Sequence, residues 1–163
     1  MQMEWATRQP HDALIVAPLA VAHQFVREAE KFGIDLADAA PLLQATRQVA
    51  DCLGICFHVG SQAMTPFAYV QALERVRAAI VDASVTVDII DVGGGFPSIY
   101  PGMEPPPLED FFGAIHRAAE SLPVSYSSEL WCEPGRALSA EYNSLIVRVE
   151  KRRGKELYIN QPA

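Results

Sequence analysis

The chain has 163 residues, half of them apolar, and a formal net charge of −7. That is enough for one domain, or part of one, with a real core. The acidic balance argues against a general nucleic-acid binder, which needs a basic face, and no run of 18 apolar residues offers a membrane span.

The opening residues, Met1-Gln2-Met3-Glu4-Trp5, lack the basic and apolar regions of a secretory signal. Cys52, Cys56 and Cys132 are odd in number and lack CxxC spacing. They suit neither a disulfide framework nor a zinc site. Reduced thiols in a cytoplasmic protein, with no metal, are the expectation.

In chain order, Ala13–Val16 reads as a short buried strand. Val21, Phe25, Ala29 and Phe32 recur at helical spacing, so residues 19–32 predict a helix. Pro41 suits a first helical turn. Leu42, Leu43, Thr46, Val49, Ala50 and Leu53 then form one face. Ile55–Phe57 predicts a strand ending at His58. Thr65-Pro66 is a helix start, a hydroxyl at the N-cap and proline at N1. Val70, Leu73, Val76, Arg77, Ile80 and Val81 continue that helix. Val85–Ile90 is strand-like and runs into three glycines. Residues 100–107 are proline-rich and predict a loop. Leu108, Phe111, Phe112, Ile115, Ala118, Ala119 and Leu122 make another helical face. Glu129–Cys132 predicts a strand. Residues 144–150 and 156–160 predict two strands joined by a turn at Lys151–Lys155. Strands alternating with helices of this length imply βαβ units and a parallel sheet, as a barrel or a doubly wound sheet.

Three polar motifs each follow a strand-like run, so either architecture gathers them on one rim. The first is Phe57-His58-Val59-Gly60-Ser61. The His58 imidazole can stack on a flat aromatic ligand, and the Ser61 hydroxyl can donate to a phosphate. Equally, His58 can be a strand-end histidine satisfied by backbone. His11, His23 and His116 fall in loop or helix-surface positions and are expected to be solvated. The second motif is Asp91-Val92-Gly93-Gly94-Gly95-Phe96-Pro97. Three glycines leave N–H groups unshielded and permit positive φ, so the loop can wrap an anion, or simply turn tightly. The third is Glu133-Pro134-Gly135-Arg136. A carboxylate can keep a pyridine nitrogen protonated, which makes the ring an electron sink. Arg136 can clamp a phosphate. The plainer alternative is a local Glu133–Arg136 salt bridge.

These residues, in this order, resemble the pyridoxal-phosphate-dependent decarboxylases of ornithine, lysine, diaminopimelate and arginine, which have an alanine-racemase-like barrel. The resemblance runs from Lys31-Phe32-Gly33 to Tyr158-Ile159-Asn160. Gly95-Phe96-Pro97 looks more like the ornithine branch. The resemblance implies pyridoxal 5'-phosphate as cofactor, with His58 stacked on its ring. Ser61 and the backbone of Gly93, Gly94 and Gly95 would hold its phosphate. In Glu133-Pro134-Gly135-Arg136, Glu133 would face the ring nitrogen and Arg136 the phosphate. It also implies a small amino-acid substrate, ornithine first, as in polyamine biosynthesis, and a homodimer for full-length members.

The departures from the family pattern carry equal weight. Family members join the cofactor to a lysine on an early barrel strand, and no lysine precedes Lys31 here. Their catalytic cysteine lies in a later β-domain, so no catalytic residue is assigned in this chain. The expected architecture is α/β: the second half of a TIM-type parallel β/α barrel with the first strands of a C-terminal β-domain. Residues 1–18 would be a divergent segment, 19–140 the partial barrel and 141–163 the start of a truncated β-domain. Two functions follow as expectations. One is a decarboxylase fragment, inactive alone and marginally stable. The other is a non-catalytic decarboxylase-like binding module, or the product of a decayed gene.

Overall fold

The structure, a computed structural model, describes residues 12–16, 34–142, 144 and 146–160. The helix expected over 19–32 and most of the divergent segment lie outside the described residues.

Four strands form one sheet: β1 (Asp12–Val16), β2 (Cys52–Cys56), β3 (Ile89–Asp91) and β4 (Glu129–Trp131). All neighbours are parallel, and the spatial order is the chain order. Parallel neighbours need a crossover. Two of these crossovers contain α2 (Phe67–Ala83) and α3 (Leu108–Glu120); α1 (Leu36–Arg47) lies between β1 and β2. Helices α1 and α2 pack together, as do α2 and α3. They therefore cover the same face of the sheet. A doubly wound sheet reverses its strand order and covers both faces; these strands do not reverse.

Alternation along the strands divides the sheet cleanly. Leu53, Ile55 and Phe57 join the core with Ile90 and Val92, packed on Leu43, Leu73, Val76, Ile80, Phe111 and Ile115. The register pairs Cys56 with Asp91 and Asp91 with Trp131. Register partners share a face, so Cys56, Asp91 and Trp131 point away from the helices. Glu133, two residues on, continues that side.

Several expected boundaries move. Helix α1 starts at Leu36, so Pro41 lies in its second turn and forfeits one internal hydrogen bond. The helix survives because Ala39 and Leu43 are buried against the core. It ends at Arg47, which takes Val49, Ala50 and Leu53 off the expected face; Val49 is 72% exposed. On α2, Thr65 does accept from the Phe67 N–H, at 3.3 Å. Its buried face runs through Tyr69, Ala72, Leu73, Val76 and Ile80, while Val81 is exposed. Strand β2 begins at Cys52 rather than Ile55, because its ladder to β1 starts at the Asp12–Cys52 pair. Strand β3 is shorter than Val85–Ile90, since its ladder to β2 starts only at Ile89.

A short helix, α4 (Arg136–Ser139), follows β4. Strands β5 (Val149–Arg153) and β6 (Glu156–Ile159) form an antiparallel hairpin. The turn is tighter than expected: Lys151–Arg153 belong to β5, and Gly154 turns the chain at φ +58°. Every residue of both strands is exposed. No described helix is long and apolar enough to cross a membrane.

Candidate functional site

The glycine triplet leaves the C-terminal end of β3. Its three carbonyls are held by three different elements. Gly93 O accepts from the Glu133 N–H at 2.8 Å, and Gly95 O from the Ala63 N–H at 2.8 Å. Gly94 O accepts from the Tyr69 hydroxyl of α2 at 3.0 Å. The Gly93 N–H donates to Asp91 Oδ1 at 2.8 Å. The N–H groups of Gly94 and Gly95 meet no acceptor among the described residues. Two adjacent free donors with their carbonyls turned away form a concavity for an anion.

Glycine is required here by space as well as by conformation. Gly93 has φ +66°, and a Cβ on it would lie 2.1 Å from Phe57 O. Gly95 has φ +97°, and its Cβ would lie 2.3 Å from Gly60 O. A Cβ on Gly94 would meet Glu133 O at 2.9 Å and His58 Nε2 at 3.4 Å. The three sequence motifs thus touch at the triplet: His58 on one side, the Glu133 backbone on the other, and Gly60, with Ser61 next to it, against Gly95.

His58 follows β2. The Gly60 N–H donates to its Nδ1 at 2.9 Å, which leaves the proton on Nε2 and fixes the ring. Burial pushes its pKa below the ordinary histidine value. The result is a neutral, oriented, flat ring. Ser61 is exposed at the rim. Gln62 Oε1 accepts from the Ser98 N–H at 3.2 Å, and its Nε2 donates to Ser98 O. That side-chain pair ties the loop after β2 to the loop after the triplet.

Glu133 stands past the end of β4. One oxygen of Glu133, one of Asp91 and Cys56 Sγ all lie within 4.8 Å of one another. Burial, then the Asp91 charge, raise the Glu133 carboxyl above its ordinary value. Burial, then Asp91 and Glu133, push the Cys56 thiol up to about 12. Burial and the same two acids raise Cys132. Neither thiol is a ready nucleophile at neutral pH.

Arg136 opens α4 and forms no ion pair with a described carboxylate, so the local Glu133–Arg136 salt bridge is not formed. Pro134 is half-buried. The Gly135 carbonyl caps α4, accepting from the Leu138 and Ser139 N–H groups at 3.1 and 3.2 Å. His116 is exposed, as expected; His11 and His23 lie outside the described residues.

Three contributors escaped the sequence reading. Tyr69 reaches the triplet from a helix whose apolar positions drew attention instead. Gln62 carried no signal beyond its place beside Ser61. Asp91 did carry one: an acid closing the apolar run Ile89-Ile90 is forced into the interior.

Residues 16–140 match the family model of the pyridoxal-dependent decarboxylase, pyridoxal binding domain. The chain belongs to this family. Among curated relatives of this decarboxylase domain, diaminopimelate decarboxylase of Archaeoglobus fulgidus is 31% identical over 134 residues, 79% of this chain and 29% of that protein. Antizyme inhibitor 2 of Xenopus laevis is 34% identical over 130 residues, 76% of this chain and 28% of that protein. A lysine/ornithine decarboxylase of Vibrio vulnificus, solved with putrescine, superposes with a TM-score of 0.66 at 25% identity, covering 91% of this chain and 39% of that one. The chain therefore spans about three-tenths of the length of the curated relatives it matches.

Proposed function

We propose that this chain is the cofactor-holding part of a pyridoxal-phosphate-dependent decarboxylase of a basic amino acid. The observation that carries this is the meeting of His58, the glycine triplet and Glu133 at one sheet edge. Each offers what this cofactor needs. The free Gly94 and Gly95 N–H groups and the Ser61 hydroxyl suit a phosphate, with Arg136 as a bidentate cation nearby in sequence. The neutral His58 ring suits the face of a pyridine. The Glu133 carboxylate would accept a hydrogen bond from the ring nitrogen and hold the proton there. When bound, the cofactor supplies an electron sink that stabilises the carbanion left by departing carbon dioxide. Half of an eight-stranded barrel accounts for four parallel strands in chain order with helices on one face. The exposed hairpin then opens a further β-domain.

Ornithine is the proposed substrate, supported by Gly95-Phe96-Pro97. Phe96 is buried and stacks on Tyr69 at 5.0 Å between ring centres. Lysine and diaminopimelate are the competing substrates. The proposal includes a cytoplasmic homodimer for the whole enzyme. The 163-residue chain alone should release no carbon dioxide, since its lysines are Lys31, Lys151 and Lys155 and the latter two lie in the hairpin region.

Titration with pyridoxal phosphate, followed by the cofactor's absorbance, tests the site. Binding that weakens at least about tenfold in Glu133→Gln, the worth of one charge-assisted hydrogen bond, is expected. Equal affinity in both would remove Glu133 from the site. A second reading is a non-catalytic module, favoured by the relative named for inhibition. Cofactor binding in the whole protein with no release of carbon dioxide from ornithine, lysine or diaminopimelate would select it.

A further inference from the structure

Asp91 is fully buried, at 0% exposure. Its Oδ1 is satisfied by the Gly93 N–H, but its Oδ2 has no partner among the described residues. No described Lys, Arg or His forms an ion pair with it. The titratable groups facing it are Cys56 from β2 and Cys132 and Glu133 from the end of β4. All three are neutral or negative. A lone buried carboxylate is costly, and two carboxylates this close cannot both ionise cheaply. A proton on Asp91 resolves both problems, because it removes one of the two charges and turns an orphan acceptor into an O–H donor.

We propose that Asp91 is a positioning residue for the cofactor reading above: it shares one proton with Glu133 and holds that carboxyl in place with a single negative charge. Asp91 touches no cofactor itself. It acts through Glu133 on one side and through the Gly93 N–H on the other. It therefore couples the acid that would face the ring nitrogen to the loop that would hold the phosphate. The parallel register of β2, β3 and β4 explains why it can do so. Asp91 sits level with Cys56 and Trp131 on the face away from the helices, and Glu133 follows on that same face. The pair would titrate as a unit, giving up its last proton above the ordinary carboxylate range. Burial raises Asp91, with the Gly93 and Cys56 hydrogen bonds opposing.

The test uses the 163-residue chain with 13C-labelled carboxyl groups, followed by NMR across pH without cofactor. Asp91 should titrate above the ordinary carboxylate range, and its midpoint should fall in Glu133→Gln. The Glu133 midpoint should fall in Asp91→Asn. A merely structural Asp91 would leave the Glu133 midpoint unmoved. Asp91 titrating normally, or indifferent to Glu133→Gln, overturns the proposal. Glu133→Gln alters an exposed residue and reads the coupling without touching the buried partner. Pyridoxal phosphate is then added. Asp91→Asn should weaken its binding about tenfold, as loss of a supporting partner does. Coupled titration without cofactor binding would sink the cofactor reading and leave the pair standing; binding without coupling would do the reverse.

Discussion

Asp88 and Asp91 stand three residues apart, one just before β3 and one at its end, and meet opposite environments. Asp88 Oδ2 accepts from Arg47 Nη1 at 2.6 Å and from the Leu53 N–H at 2.7 Å. Burial pushes Asp88 up, but the Leu53 and Arg47 donors win and hold it below the ordinary carboxylate value. Asp91 has no cationic partner and an orphan Oδ2, and burial outweighs the Gly93 and Cys56 donors to carry it the other way. The difference lies in the supply of donors, since the half-exposed acid is the satisfied one. The N-terminal end of the sheet is built for stability. The C-terminal end keeps unmet valence, as the functional rim of a parallel α/β sheet does.

The sharpest way to break this comparison is Gly93→Ala. Its Cβ would strike the Phe57 carbonyl, and positive φ adds strain. We expect a loss of about 3 kcal/mol, read by denaturant unfolding. A neutral outcome would mean the rim is looser than its hydrogen bonds imply.

Asp91→Asn should move stability in the other direction, by about 1 kcal/mol at neutral pH. Asparagine keeps the acceptor for Gly93 and adds a donor where the orphan oxygen lies. The sign follows from the raised pKa. An acid whose folded pKa is raised keeps its stability below the unfolded pKa and loses it as pH rises. The gain from asparagine should therefore grow from pH 4 to pH 8. Melting curves of both proteins across that range check it, and a gain largest at low pH would contradict it.

The smallest effect belongs to Arg47→Met. Asp88 has a depressed pKa, so its contribution is present above the unfolded pKa and fades as pH falls through the folded one. Its side chain is 46% exposed, which screens the pair. A loss below about 1 kcal/mol at pH 7, shrinking in high salt and vanishing in acid, is expected. Arg47 also donates to the carbonyls of Ala50 and Asp51, so some loss should survive salt.

Much of this rim was legible in the sequence because its residues are chemically unusual where they stand. A histidine, a glycine triplet and an acid, each closing an apolar run, can be placed by strand direction alone. From sequence, Asp91 enters only as the opening residue of the glycine motif, although the apolar Ile89-Ile90 leading to it forces burial. The ends of elements were less legible. Val85–Asp88 has strand propensity, yet pairing starts only at Ile89, and a ladder depends on a partner that local sequence does not contain. The covered face of α2 was partly misread because Tyr69, with a polar tip, is wholly buried. Its hydroxyl is satisfied by Gly94 O, a partner 25 residues away. The hairpin's turn is narrower than the expected Lys151–Lys155, because β5 stays paired to Arg153 and Gly154 provides the positive φ.

The three clamps on the glycine carbonyls bear on the order of folding. Each clamp comes from a different part of the chain: Ala63 after β2, Tyr69 on α2 and Glu133 after β4. The free donors at Gly94 and Gly95 are presented only once all three are in place, and the longest loop closure is the last to be compensated by contacts. Anion affinity should therefore emerge late in refolding, after helix formation is complete. A nascent chain released before Glu133 would have α1, α2 and α3 but no cradle, so the site reports that assembly of the sheet is finished.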